Sequence, residues 1–359
     1  MSGQSLAHMF FSDSYEMATS RFTTLAEAAN ARRLSAPIPQ SDHAIELALL
    51  GDVRANTLMI HSSGVHGVEG YVGSAIQLAI LEERPRVDDT QAILFIHVVN
   101  PSGMSLGRRW TANHVDLNRN FFETAPNPDP DPLYPRIDAF LNPQRESALK
   151  GFFPKALLLI ARYGYNALQQ AVAQGPFHAP KGLFYGGRDP EPETQTLLAA
   201  MRALHLQPQV VMGLDVHAGL GQYGEHQLLL EPFYSQEQAD VLHHVLDHDI
   251  IPVSPGSPST YAIKGGFIAG MKALFEPVAT TYWLTEEFGT LGPIRLLKAL
   301  RAGNYYYQFE PGSAKWKQAA HTVKTAFCPE DDGWRTRTVE TGTTMFKRLL
   351  RGHFPASTA

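Results

Sequence analysis

His66-Gly-Val-Glu69 sets an imidazole and a carboxylate three residues apart. A strand-like run, Thr57-Leu-Met-Ile-His61, leads into it, and a helix-like run from Tyr71 to Glu83 follows. At a strand-to-helix turn both side chains can face one cation. Imidazole nitrogen and carboxylate oxygen are donors that a catalytic zinc ion takes, with a third protein ligand from elsewhere and one position left for water. The bland alternative is that Glu69 complements the dipole of the helix it opens and His66 is a loop histidine.

Three further segments end strand-like runs, where ligands bind in open α/β sheets. In Val210-Val-Met-Gly-Leu-Asp-Val-His217, His217 closes a buried run and enters a glycine-rich turn, so it can supply the third ligand. The run Asn100 to Phe121 carries Arg108, Arg109 and Arg119, forked donors suited to a carboxylate or a developing oxyanion, and the amide of Asn118. Thr285-Glu-Glu-Phe-Gly-Thr290 brings Glu286 and Glu287, of which one can face a site because successive strand residues point opposite ways. A carboxylate there can serve as a general base. Gly219-Leu-Gly-Gln-Tyr-Gly224 matches a dinucleotide fingerprint, but the strand-like His226-Gln-Leu-Leu-Leu230 follows where that motif needs a helix. His243, His244 and His248 read as a surface helix, and His97 as a core histidine.

The elements that must position these residues alternate. Strands are expected at 45–50, 57–61, 93–99, 210–217 and 281–288, and helices at 15–33, 69–83, 155–173, 193–205, 236–248 and 293–309. Such alternation argues for an α/β fold with a central mixed, largely parallel sheet flanked by helices. The proline-rich stretch 125–135 cannot be helix or central strand, and reads as a loop opening an insertion at about 125–205 within one domain spanning 1–359.

Composition excludes several classes. A net charge of −5 offers no basic excess for nucleic acid or an anionic membrane. No run of about 18 apolar residues exists to span a bilayer. The start, Met1-Ser-Gly-Gln-Ser-Leu, lacks the features of a signal peptide, and the expected compartment is the cytoplasm. Cys328 is the single cysteine, so a metal must be held by His, Asp and Glu.

Taken in order, these motifs resemble the zinc carboxypeptidase (carboxypeptidase A-like) family over about residues 55–295. The matching features are His-x-x-Glu, a distant His, Asp116-Leu-Asn-Arg-Asn-Phe121, a late Glu, and Tyr261-Ala-Ile-Lys-Gly-Gly-Phe-Ile268, which is similar to that family's lid segment. Gly182-Leu-Phe-Tyr-Gly-Gly187 and Glu287-Phe-Gly-Thr290 look closest to a poorly characterised bacterial-type branch. The resemblance implies one Zn2+ held by His66, Glu69 and His217, with Glu287 as general base and then general acid. It implies Arg109 at the oxyanion, with Arg108 beside it as the alternative and a substrate contact. Asn118 and Arg119 would hold a free carboxylate, Tyr261 would close over the substrate, and Ile268 would lie near the specificity pocket. The implied substrate is a small peptide or an acyl-amino acid with a free carboxylate. Aspartoacylase-like deacylases share His-x-x-Glu and Asp-Leu-Asn-Arg, so N-acyl amino acid deacylation stands as the second expectation, and a non-catalytic binding module as a third. Oligomeric state is not legible.

Overall fold

The computed structural model describes residues 9–122, 132–254, 263–276 and 278–355. Among them, eight strands form one sheet: β1 (Arg32–Pro37), β2 (Ala44–Gly51), β3 (Thr57–Ser63), β4 (Gln91–His97), β5 (Val210–Gly219), β6 (His226–Leu230), β7 (Ile250–Pro252) and β8 (Thr280–Gly289), in the order β1-β2-β4-β3-β5-β8-β6-β7. The central four, β4-β3-β5-β8, are parallel. Antiparallel pairs join β1 to β2, β2 to β4 and β6 to β8. The expected mixed, largely parallel sheet is present.

Helices cover both faces. Alternation along β3 sends Met59 to one side and Leu58 and Ile60 to the other. Met59, Phe95 and Leu214 pack under α1 (Tyr15–Ala28) and α2 (Gly70–Glu82). On the opposite face, Ile60, Leu94 and Val211 meet residues of α7 (Pro192–Ala203) and α9 (Phe267–Phe275). Between these elements lie α3 (Pro101–Ser105), α4 (Tyr134–Leu141), α5 (Phe152–Tyr163), α6 (Tyr165–Gln174) and α8 (Gln236–Leu246). The chain continues through α10 (Pro293–Phe309), α11 (Ala314–Phe327) and α12 (Asp332–Arg351).

β3 runs through α2 to β4 on one side, while β5 lies on its other side and leads towards β8. The strand order therefore reverses between β3 and β5. The crevice beyond their C-terminal ends is where such sheets bind ligands.

The structure departs from the sequence reading in several places. The first helix stops at Ala28, because Asn30 takes a left-handed conformation (φ 59°) and turns the chain into β1. β1 is a largely exposed edge strand without clear alternation, so it left little pattern to read. The expected 155–173 helix is two helices, broken at Gly164, whose φ of +82° no right-handed helix accommodates. Two helices, α11 and α12, occupy a C-terminal region left unassigned. Other readings hold: β6 follows the glycine-rich 219–224 turn, and His97 is buried, stacked on Phe22 at 4.2 Å. No helix among the described residues is long and apolar enough to cross a membrane.

Candidate metal centre

The loop after β3 is locked before any metal is considered. Val99 and Asn100 donate their N–H groups to the carbonyls of Ser63 and Gly64, joining the ends of β4 and β3. Val98 sits between them with φ +58°, a costly conformation for a β-branched residue and one held by its surroundings. Asn100 then caps α3, accepting from Gly103 N–H at 2.9 Å, and donates from its amide to the Arg109 carbonyl at 3.1 Å. Gly67 and Val68 donate to the carbonyls of Arg109 and Arg108. A Cβ on Gly67 would lie 2.3 Å from the Gly103 carbonyl carbon, so only glycine permits this approach. Thus the His66–Glu69 turn and the arginine segment are held by each other's backbones.

From this frame His66 and Glu69 meet His217 from the end of β5. One donor atom from each lies within 4.8 Å of the others, and all three residues are buried. His66 Nδ1 is 3.0 Å from Glu69 Oε1, His217 Nδ1 is 3.0 Å from Glu69 Oε2, and the two Nδ1 atoms are 3.1 Å apart. The outward nitrogens are backed by carboxylates. His217 Nε2 lies 2.7 Å from Asp215 Oδ2, and Asp215 also accepts from Ser62 Oγ at 2.8 Å. His66 Nε2 lies 3.2 Å from Asp116 Oδ1. Carboxylates in this position fix the imidazole tautomer and raise its basicity as a ligand.

Asp116 and Asp215 were quoted within their motifs but given no role by sequence reading. Their signal was present, in Asp215 two residues before His217 on the same strand face and in the leading Asp of Asp-Leu-Asn-Arg-Asn.

The electrostatics suit a cation. Burial works against the Glu69 anion, yet His66 and His217 hold its carboxyl below the ordinary range. Burial likewise opposes charge on His217, but Asp215 and Glu69 raise its pKa well above that of a free imidazole. Metal binding to imidazole requires its neutral form, so ligation at such a site is coupled to proton release. Two imidazoles and one carboxylate, each already oriented, fit a divalent metal of zinc type, with no thiolate required.

The other candidates divide. Glu287 pairs in register with His217 on the neighbouring parallel strand, lines the same cavity, and accepts from Leu220 N–H at 2.7 Å. Burial and then the Glu69 charge push its carboxyl up to about 8, against His217, Leu220 and Arg109. Glu286 turns to the other face and meets His226 Nε2 at 3.1 Å, so the pleat separates the two glutamates. Arg109 lies inside the site: its Nε donates to Asp116 at 2.9 Å, one terminal nitrogen lies 3.1 Å from Glu69 Oε1, and the other 2.6 Å from His66 Nε2.

Arg108, expected beside Arg109 as the alternative, lies outside the cavity lining. Its guanidinium lies over the Tyr307 ring, 3.2 Å from the centroid, and 2.8 Å from His114 Nδ1. Asn118 lines the cavity, while its Oδ1 accepts from Phe267 N–H at 2.9 Å. Arg119 is buried behind it, paired with Asp116 at 2.6 Å and bonded to the Ala173 carbonyl. Ile268 is buried among the core residues under α9. Tyr261 lies outside the described residues.

Fold and site together define an α/β protein whose topological switch point carries a buried His-Glu-His cluster able to hold a metal ion. Residues 11–341 match the family described as "Protein of unknown function (DUF2817)", and the chain belongs to that family. No curated protein matches. Among solved structures, the chain is similar to bovine thrombin-activatable fibrinolysis inhibitor in complex with tick carboxypeptidase inhibitor, at 13% identity and TM-score 0.49, over 88% of this chain and 98% of that one. It is also similar to carboxypeptidase A from Helicoverpa armigera, at 13% identity and TM-score 0.48, over 87% of this chain and 74% of that one. A third similar structure is the murein-tripeptide amidase MpaA from Escherichia coli O157, at 17% identity and TM-score 0.39, over 76% and 91% respectively.

Proposed function

We propose that this protein is a zinc-dependent hydrolase that cleaves an amide bond next to a free carboxylate, as a carboxypeptidase does. The observation that carries the reading is the convergence of His66, Glu69 and His217 within 4.8 Å, with Glu287 in register beside His217. His66, Glu69 and His217 would hold the ion, and the carboxylates of Asp116 and Asp215 would keep both imidazoles in the ligating tautomer. When bound, a divalent zinc acts as a Lewis acid on a carbonyl and lowers the pKa of a water from about 15.7 to about 7.

The protein's own groups do the rest. Glu287 takes a proton from the attacking water at its carboxylate and returns it to the leaving amine. To act as a base it must be ionised, and neutralising the Glu69 charge with a bound dication removes the second cause of its raised pKa. Arg109 directs N–H donors at the developing oxyanion, a kind of stabilisation worth about 3–4 kcal/mol per donor. Asn118 would contact the substrate carboxylate from the cavity wall, and Arg119 would add positive charge from the layer behind.

The test is Glu287→Gln. The variant should bind one zinc per chain by elemental analysis and lose about 10²–10⁴-fold in turnover of blocked dipeptides or N-acyl amino acids. Unchanged turnover in a zinc-loaded variant would remove Glu287 from the mechanism.

A further inference from the structure

The cavity that holds the metal ligands and Glu287 extends beneath the helical segment between β4 and β5. Its volume is about 210 Å³. Ile137 from α4, Phe152 and Leu159 from α5, Val172 from α6, and Leu297 and Leu300 from α10 line it. On that side the polar lining among the described residues is Tyr165 and Gln169, both on α6. The other polar lining residues, Asn118, Glu231 and Thr285, come from the strand-end side of the site.

This asymmetry restricts what can lie on each side of the scissile amide. A peptide continuing along the helical wall would bring one N–H and one C=O per residue against a lining whose described side chains offer it two polar groups, those of Tyr165 and Gln169. Buried polar groups left unpaired cost more than the accompanying apolar contact returns. A hydrocarbon chain brings no such groups and gains with every methylene removed from water. The carboxylate-bearing amine, which needs partners, matches the polar side.

Building on the amide-hydrolase reading above, we propose that the substrate carries a long, flexible apolar acyl chain in this helical chamber. The class is thus fatty N-acyl amino acids, or short peptides bearing a fatty acyl group.

The experiment measures kcat/KM of the zinc-loaded protein across N-acylglycines from acetyl to dodecanoyl. Binding of N-acetylglycine and N-dodecanoylglycine to Glu287→Gln is measured in parallel by calorimetry. The proposal expects kcat/KM to rise about fourfold per added methylene until the chamber is full. It also expects the dodecanoyl compound to bind Glu287→Gln far more tightly than the acetyl one, and Leu159→Trp to shift the optimum to shorter chains. A flat or falling chain-length series, with acetyl compounds or blocked dipeptides cleaved as well as the dodecanoyl one, overturns the chamber assignment and leaves the hydrolase reading standing. No cleavage of any amide, with tight dodecanoyl binding, overturns the hydrolase reading and leaves the chamber standing. If Leu159→Trp does not fold, the wild-type series decides alone.

Discussion

At the floor of the cavity, side chains are fixed by the ends of paired strands. Over it, they are carried by short helices joined through glycines. His217 and Glu287 hold their spacing because β5 and β8 are hydrogen-bonded in register, and His66 and Glu69 because their turn is bonded to the Arg108–Arg109 backbone. The wall helices α5 and α6 meet at Gly164, where an added Cβ would touch nothing within 4 Å. The floor is polar and held by hydrogen bonds. The wall is apolar and open on the cavity side. Catalytic precision needs the first kind of support, whereas binding a flexible apolar group requires only shape and area.

The contrast can be broken most forcefully by packing. Gly213 on β5 faces the buried Trp283, and an added Cβ would fall 2.1 Å from its ring. Gly213→Ala should therefore destabilise by about 3 kcal/mol, the upper range for overpacked cores. Leu159→Ala, which enlarges a space already open, should cost about 1 kcal/mol. Denaturant unfolding of both variants checks the difference, and equal losses would show that wall and floor are packed alike.

A second prediction concerns charge at the floor. Glu287 has an ordinary carboxyl value of 4.5 and a value of about 8 in the folded, metal-free protein. Folding thus favours its protonated form. This contribution is fully present below pH 4.5, declines as pH rises, and is lost above about pH 8. Metal-free Glu287→Gln should be indistinguishable from the parent below pH 4.5 and gain on it by up to about 1.4 kcal/mol per pH unit as pH rises towards 8. Melting temperatures of the chelator-treated proteins across that range provide the measurement.

The smallest of these effects sharpens how far the floor's order extends behind the ligands. Asp215→Asn keeps a side chain of the same shape but removes the charge that orients His217. Zinc affinity should fall about 10–100-fold, read by competition with a chromogenic chelator. An unchanged affinity would mean that the Asp215–His217 contact at 2.7 Å is incidental to ligation.

The floor was legible in the sequence because its residues sit at strand ends, and buried parallel strands announce themselves as continuous apolar runs. His66, Glu69 and His217 could be singled out in that way, whereas the order of the strands that brings them together could not. The wall was not legible to the same degree. Phe152-Phe-Pro-Lys-Ala-Leu-Leu-Leu-Ile160 is apolar on two sides: Phe152 and Ala156 are buried, while Phe153, Leu157 and Leu158 are exposed. Its pattern therefore does not say which side lines a cavity. Gly164 falls inside the expected 155–173 helix, and its φ of +82°, which no local pattern shows, breaks that helix in two.

By itself, then, the sequence determined the α/β alternation, the donor types of the His-Glu-His cluster and their placement at strand ends, since each follows from local periodicity and residue type. Tertiary structure decided which member of each adjacent pair serves the site. The pleat of β8 turns Glu287 to the cavity and Glu286 to His226. The turn after α3 sends Arg109 to Glu69 and Arg108 to Tyr307. It also decided that Arg119 stands behind Asn118, and that helices distant in sequence enclose an apolar space beside the His-Glu-His cluster. Neighbouring residues share composition and local propensity. The direction each side chain faces is set by register and by packing between segments far apart in the chain, and no local pattern carries that information.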